Sequence, residues 1–247
     1  MRIQKIFLAC LIGLIIAFLT IPAIGQAADR PPVKCLMMGL GTHNEDNLVE
    51  TLDYIKEHYP SVAITATEDI EALRYENLKK YDVLAINRIK VDNGNPPDFV
   101  KDGIVRFLQE GGGLLANHFC VANVQNWRDS IDILGAMWVS GKSTHNPYHE
   151  FRVDIKDESH PILEGVKPFT TNDELYFNLL MRPDMNVIMT AYEERFGRTV
   201  AEPMLATHYF FNARCVYFAL GHDAASCKVP EYRQIMVQAI EWAACRR

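Results

Sequence analysis

The chain has 247 residues, a formal net charge of −6 with histidine neutral, and 49% hydrophobic against 23% charged residues. That is enough apolar material for one sizeable core. There is no basic run and no Lys/Arg stripe interleaved with aromatics, so nucleic acid is not an expected partner.

Arg2 and Lys5 precede an uncharged apolar run, Ile6 to Ile21, which ends at Pro22 and the small-residue stretch Ala23 to Ala28. This is the pattern of a secretory signal, with a cut expected after Ala27 and a single domain over 28–247. The run is short for a membrane span, and no later run is long enough. The expectation is export to the periplasm or the extracellular space, with no stable membrane insertion after cleavage. Cys10 lies near the start of the run, where a lipidated cysteine would follow its end. Beyond the leader stand Cys35, Cys120, Cys215, Cys227 and Cys245, an odd set with no C-x-x-C. Cys35 and Cys215 read as small core residues. Cys227 and Cys245 could pair in an oxidising compartment.

The domain opens with a nearly continuous apolar strand, Val33 to Leu40, as suits a parallel strand covered on both faces. A helix is expected from Glu45 to Tyr59, burying Leu48, Leu52 and Ile55, and stopped by Pro60. A strand over Val62 to Ala66, a short helix over Glu71 to Lys79 and a strand over Val83 to Asn87 follow. After a turn at Asp92 to Pro97 comes a helix, Asp98 to Gln109, ended by Gly111-Gly112-Gly113. The next strand runs to Asn117. Further strands are expected at Phe151 to Ile155, Val187 to Ala191, Met204 to Thr207 and Cys215 to Leu220, then a last helix over Glu231 to Ala244. Alternating strand and helix in the first half predict an α/β fold with a mostly parallel sheet and right-handed crossovers.

Ligands of such sheets bind beyond the carboxyl ends of the strands. Three expected strand ends carry histidine: His43, His118 and His222. His145 to Glu150 adds a histidine-rich segment, and Asp173-Glu174-Leu175-Tyr176 supplies carboxylates. Histidine with carboxylate suits both acid–base chemistry at neutral pH and divalent metal binding. His145 and His149 are four apart, but Pro147 between them predicts a loop. His58 and His160 read as structural or surface positions, and His208 is left open.

Gly111-Gly112-Gly113-Leu114-Leu115-Ala116-Asn117-His118, the segment His145 to Glu150 before Phe151-Arg152-Val153-Asp154-Ile155, Ser159 to Val166, Thr171 to Tyr176, Ala219 to Asp223 and Ile240 to Ala243 form an ordered series of motifs. In that order they resemble the trehalose-utilisation (ThuA-like) family. The resemblance implies a flavodoxin-like, class I glutamine amidotransferase-like three-layer sandwich. Those amidotransferases place a nucleophilic cysteine on a strand-to-helix elbow. Here His118 falls at or beside that position and Cys120 lacks flanking glycines, so a glutaminase is not expected.

The family name points to an enzyme handling small carbohydrates, glycosides or keto-glycosides, with a non-catalytic carbohydrate- or protein-binding module as the alternative. The expected catalytic residues are His118, Glu174 and His222. Expected substrate contacts are His43, Asn117, Trp127, Tyr148 and Tyr176, although the aromatic ones suit ordinary packing equally well. His118, His149 and His222 are the expected ligands of a divalent metal, zinc first. A homo-oligomer is compatible with the sequence.

Overall fold

The computed structural model describes residues 30–42, 46–193 and 200–246. The expected leader, residues 1–27, and the expected substrate contact His43 lie outside the described residues. The chain divides into two units, Met1–Arg30 and Pro31–Arg247, and the sheet with its helices belongs to the second.

In its first half the chain forms β1 (Val33–Met38), α1 (Val49–His58), β2 (Val62–Thr67), α2 (Tyr75–Leu78), β3 (Val83–Ile86), α3 (Asp98–Gln109), β4 (Gly113–Asn117), α4 (Cys120–Asn123) and α5 (Ser130–Leu134). Then come the short strands β5 (Ala136–Met137) and β6 (Thr144–His145), followed by β7 (His149–Ile155) and β8 (Phe169–Asp173). The short strands β9 (Tyr176–Phe177) and β10 (Leu180–Met181) precede β11 (Asn186–Ala191), β12 (Glu202–Phe210) and β13 (Ala213–Phe218). The chain closes with α6 (Ala224–Lys228) and α7 (Pro230–Ala243).

Nine strands make one sheet in the order β2-β1-β3-β4-β13-β12-β11-β7-β8. The pairs from β2 through β13 are parallel. Those from β13 to β8 are antiparallel. The sequence pattern explains the division. Strands β3 and β4 are buried at every residue, as strands covered on both faces must be. Strand β8 alternates buried and exposed residues, as one with a solvated face does. Helix α7 crosses β1 to β4 and β13 and packs with α1 and α6, while α5 packs on β4 and β13. Among the described residues no helix is long and apolar enough to cross a membrane.

The expected helix at Asp98 to Gln109 is observed with those bounds. The first helix starts later than expected, at Val49, though Leu48, Leu52 and Ile55 are buried as the spacing requires. Strand β8 was not expected from the sequence. Its middle is Thr170-Thr171-Asn172, and it sits at the sheet edge paired only with β7. Cys227 and Cys245 are both free, Cys227 buried and Cys245 exposed. Cys227 lies in α6 before α7 starts and Cys245 beyond its end. A helix of 14 residues separates them by about 20 Å, far beyond disulfide reach.

Strand β4 begins under α7 with no room for a side chain. A Cβ on Gly113 would stand 2.5 Å from the Ala243 carbonyl oxygen, which is backbone and cannot rotate away. Gly113→Ala is expected to destabilise the domain by about 1–3 kcal/mol, read as a Tm lowered by several degrees in thermal unfolding.

Candidate functional site

Strand β4 ends at Asn117, and the chain turns at once into α4. The turn residue is His118, whose φ of 38° is the left-handed region that side-chain-bearing residues avoid. Two bonds hold it there: its backbone N–H donates to the Phe218 carbonyl at 2.7 Å, and its ring meets the Ala219 carbonyl at 2.6 Å. Asn117 is fully buried and spent on structure. Its Nδ2 donates to the carbonyls of Phe218 and Leu220, and its Oδ1 accepts from Tyr232 and Asn87. It fastens β3, β4, β13 and α7 together, so the expected role of Asn117 in substrate contact is corrected to a structural one.

His222 stands on the loop leaving β13, the strand beside β4. Gly221 before it has φ +117°, and a Cβ there would meet the Tyr232 ring and hydroxyl within 3.1 Å. Asp173, buried at the end of β8, clamps this loop. Its carboxylate accepts from the backbone N–H of Gly221 at 2.7 Å and of His222 at 3.1 Å, and also from that of Glu174 at 2.8 Å. Burial pushes the Asp173 carboxyl up to about 7, against the downward pull of these N–H donors. Thr42 Oγ1 and Asn47 Nδ2 donate to the His222 carbonyl from the other side.

One carboxylate therefore sets both His222 and Glu174, and the elbow brings His118 to them. One ligand-type atom from each of His118, Glu174 and His222 lies within 4.8 Å of the others. Nδ1 of His222 is 3.0 Å from Oε2 of Glu174. Oε1, the other carboxylate oxygen, is 3.3 Å from Nδ1 of His145. The rings of His118 and His222 are 5.5 Å apart, and Tyr176 lies 4.6 Å from His118.

These contacts set the protonation states. A carbonyl only accepts, so His118 carries its proton on Nδ1, facing Ala219, and offers a lone pair on Nε2. The Tyr176 hydroxyl donates to that Nε2 at 3.0 Å. Burial pushes the His118 imidazole down to about 4, so it is neutral at pH 7. His222 is pushed the other way, first by its hydrogen bond to Glu174 and then by nearby carboxylate charge. Burial tends to raise Glu174, but the His222 bond and the surrounding histidines outweigh it and hold the carboxyl below its ordinary value.

Two other expected contacts are corrected. His149 is not in the cluster. It opens β7, with Nδ1 at the Pro147 carbonyl and Nε2 3.2 Å from Glu193. His145 is the histidine that reaches Glu174, because β6 pairs with β9 and sets His145 opposite Tyr176. Trp127 is a core residue, 4% exposed. The tryptophan beside the cluster is Trp138, 5.4 Å from the Tyr176 ring and 6.2 Å from His145. Tyr176 reaches the cluster through its hydroxyl, with its ring buried. Tyr148 stands at the rim, its ring 5.9 Å from His222 and its hydroxyl bonded to Asp223 at 3.0 Å. His58 stacks on Tyr54, and His160 accepts the first N–H of a short helical turn. His208 is buried beside Asp132.

The family description for ThuA, trehalose utilisation, matches residues 36–243. The chain belongs to the ThuA family. No curated protein sequence matches it. A ThuA-like protein of Parabacteroides merdae superposes with a TM-score of 0.72 at 20% identity, over 86% of this chain and 90% of the other. One from Bacteroides uniformis gives 0.68 at 19% identity, over 89% and 94%. A glutamine amidotransferase of Thermotoga maritima gives 0.53 at 11% identity, over 86% and 98%. At these identities the likeness is one of fold.

In this ThuA-family chain the elbow presents an imidazole. Cys120 lies two residues on, in α4, fully buried, and desolvation pushes its thiol far above the ordinary range. It is held in the un-ionised form that does not act as a nucleophile. Cys35, Cys215 and Cys227 are buried and raised in the same way. Titration of the native protein with a thiol reagent should modify Cys245 alone among Cys35, Cys120, Cys215, Cys227 and Cys245, the other four reacting only after unfolding. Fast labelling of Cys120 would contradict this arrangement.

Proposed function

We propose that this ThuA-family protein is an exported enzyme acting on small carbohydrates, glycosides or keto-glycosides, at a divalent-metal site made by His118, Glu174 and His222. The observation that carries the metal is the His118 side chain. Its Nδ1–H is fixed on the Ala219 carbonyl, the outer bond typical of metal-bound imidazole, which leaves Nε2 as its one ligand atom; a metal there would take the place of the Tyr176 hydroxyl that donates to it. Two imidazoles and one carboxylate within reach of a single point suit zinc and leave an open coordination position. A divalent ion there would polarise a carbonyl or hydroxyl oxygen of a ligand.

The chain's own groups do the rest. His118 is neutral and rigidly held, so Nε2 is the atom it can offer to a metal or ligand in place of the Tyr176 hydroxyl. Glu174 carries negative charge and orients both His222 and His145. His145 is exposed beside Glu174, within reach of a ligand that approaches the carboxylate. Glu174 and Asp223 offer acceptors for sugar hydroxyls, while the trehalose-utilisation description supports a carbohydrate. The basic start, apolar run and small-residue stretch within residues 1–28 support export.

Zinc titration of metal-free protein should give one tight site per chain. His118→Ala and His222→Ala should each weaken it by at least about ten-fold while leaving the far-UV spectrum unchanged. His222 must release its proton to bind metal, and its pKa is raised, so affinity should fall as the pH drops through that raised value. His118, lowered to about 4, adds a further loss only at much lower pH. No zinc binding at neutral pH would overturn the metal site. N-terminal sequencing of the protein recovered outside the cytoplasm should begin at Ala28; a retained leader would contradict the cleavage.

A further inference from the structure

The one ligand atom of His118 already has a partner. Nδ1 is committed to the Ala219 carbonyl, and the Tyr176 hydroxyl donates to Nε2 at 3.0 Å. Among the described residues this is the hydroxyl's one hydrogen bond. Zinc sits about 2.0–2.1 Å from an imidazole nitrogen, along the lone pair that here receives the O–H. An ion on that line would stand only about 1 Å from the phenol oxygen. The two cannot share Nε2, so the hydroxyl must give way when a metal enters. Tyr176 is 4% exposed, and a buried O–H without an acceptor is costly. Metal binding therefore works against the Tyr176 bond. The segment that carries Tyr176 is free to yield. Strand β9 pairs with β6 at two positions only, Tyr176 opposite His145 and Phe177 opposite Thr144, and so short a ribbon is weakly held by its own ladder. The Tyr176 ring stands 5.4 Å from Trp138 and 6.2 Å from His145.

We infer that Tyr176 is a latch on the metal site: its hydroxyl holds Nε2 of His118 until a metal displaces it, and the displacement shifts the β6–β9 ribbon that carries His145. This rests on the metal reading above and adds the residue that sets how tightly the metal is held. The exposure of the three ligands gives the order of events. The side chains of Glu174 and His222 are 15% and 22% exposed, whereas His118 is fully buried. An incoming ion meets Glu174 and His222 first. It completes its shell on His118 only as the hydroxyl leaves.

The test is a calorimetric zinc titration of metal-free wild type and Tyr176→Phe, with thermal unfolding of each protein with and without zinc. Tyr176→Phe keeps the ring and removes only the hydroxyl. It should bind zinc about ten-fold more tightly than the wild type. Without metal it should unfold at a lower temperature, because Nε2 of His118 has lost its donor, and saturating zinc should close that gap. A hydroxyl that only supports the fold would lower the unfolding temperature in both forms without tightening zinc. Fluorescence gives a second readout, because Trp138 lies beside Tyr176 and zinc is a d10 ion without redox chemistry. Zinc should change the emission of the wild type, less so that of Tyr176→Phe, and that of Trp138→Phe not at all. Zinc affinity in Tyr176→Phe equal to or weaker than wild type overturns the latch and leaves the metal site standing. No zinc binding by either protein overturns both. Should Tyr176→Phe not fold, the wild type decides: emission unchanged at saturating zinc overturns the latch.

Discussion

Everything at the site depends on the parallel pairing of β4 with β13. The two strands are about a hundred residues apart in sequence, yet their register sets Asn117 opposite Phe218. That register puts the next residue of one strand, His118, against the next carbonyls of the other, Phe218 and Ala219. The bond to Ala219 then decides which ring nitrogen keeps the proton and which faces the cluster. A slip of one residue would turn the histidine to the other side of the sheet. The buried amide of Asn117 guards against it by bonding the carbonyls of Phe218, the last residue of the ladder, and of Leu220 beyond it.

The second constraint is the Asp173 carboxylate. A buried acid is costly unless its oxygens are satisfied. Here they are used by three backbone N–H groups, two of them on the loop that carries His222. The groups beyond it have their charges pushed apart. Burial keeps His118 neutral, while Glu174 keeps His222 protonated more readily than a free imidazole. The opposite shifts leave a neutral imidazole and a more readily protonated one side by side.

Much of this was legible in the sequence, and the limits have physical causes. The parallel half could be read because β1, β3 and β4 are apolar runs and α3 has clean periodicity between Pro97 and the glycines after it. The strand-end histidines could be read because the carboxyl-end rule needs only strand boundaries. The choice between His145 and His149 could not, since it depends on a two-residue ribbon between β6 and β9 whose pairing is tertiary. The same holds for Trp127 and Trp138: nothing in local sequence says which is core and which stands beside the cluster. Asn117 looked like a ligand contact because it sits at a strand end; only its four partners reveal a staple. Strand β8 was hidden because an edge strand with a solvated face does not need apolar residues throughout.

The central claim is that imidazoles from β4 and β13 and a carboxylate from the β8 exit converge on one point. X-ray absorption at the zinc edge of the zinc-loaded protein measures that convergence directly. The account predicts two imidazole nitrogens at about 2.0–2.1 Å and one carboxylate oxygen at a similar distance, with no sulfur. A single imidazole, or any sulfur in the shell, would contradict it.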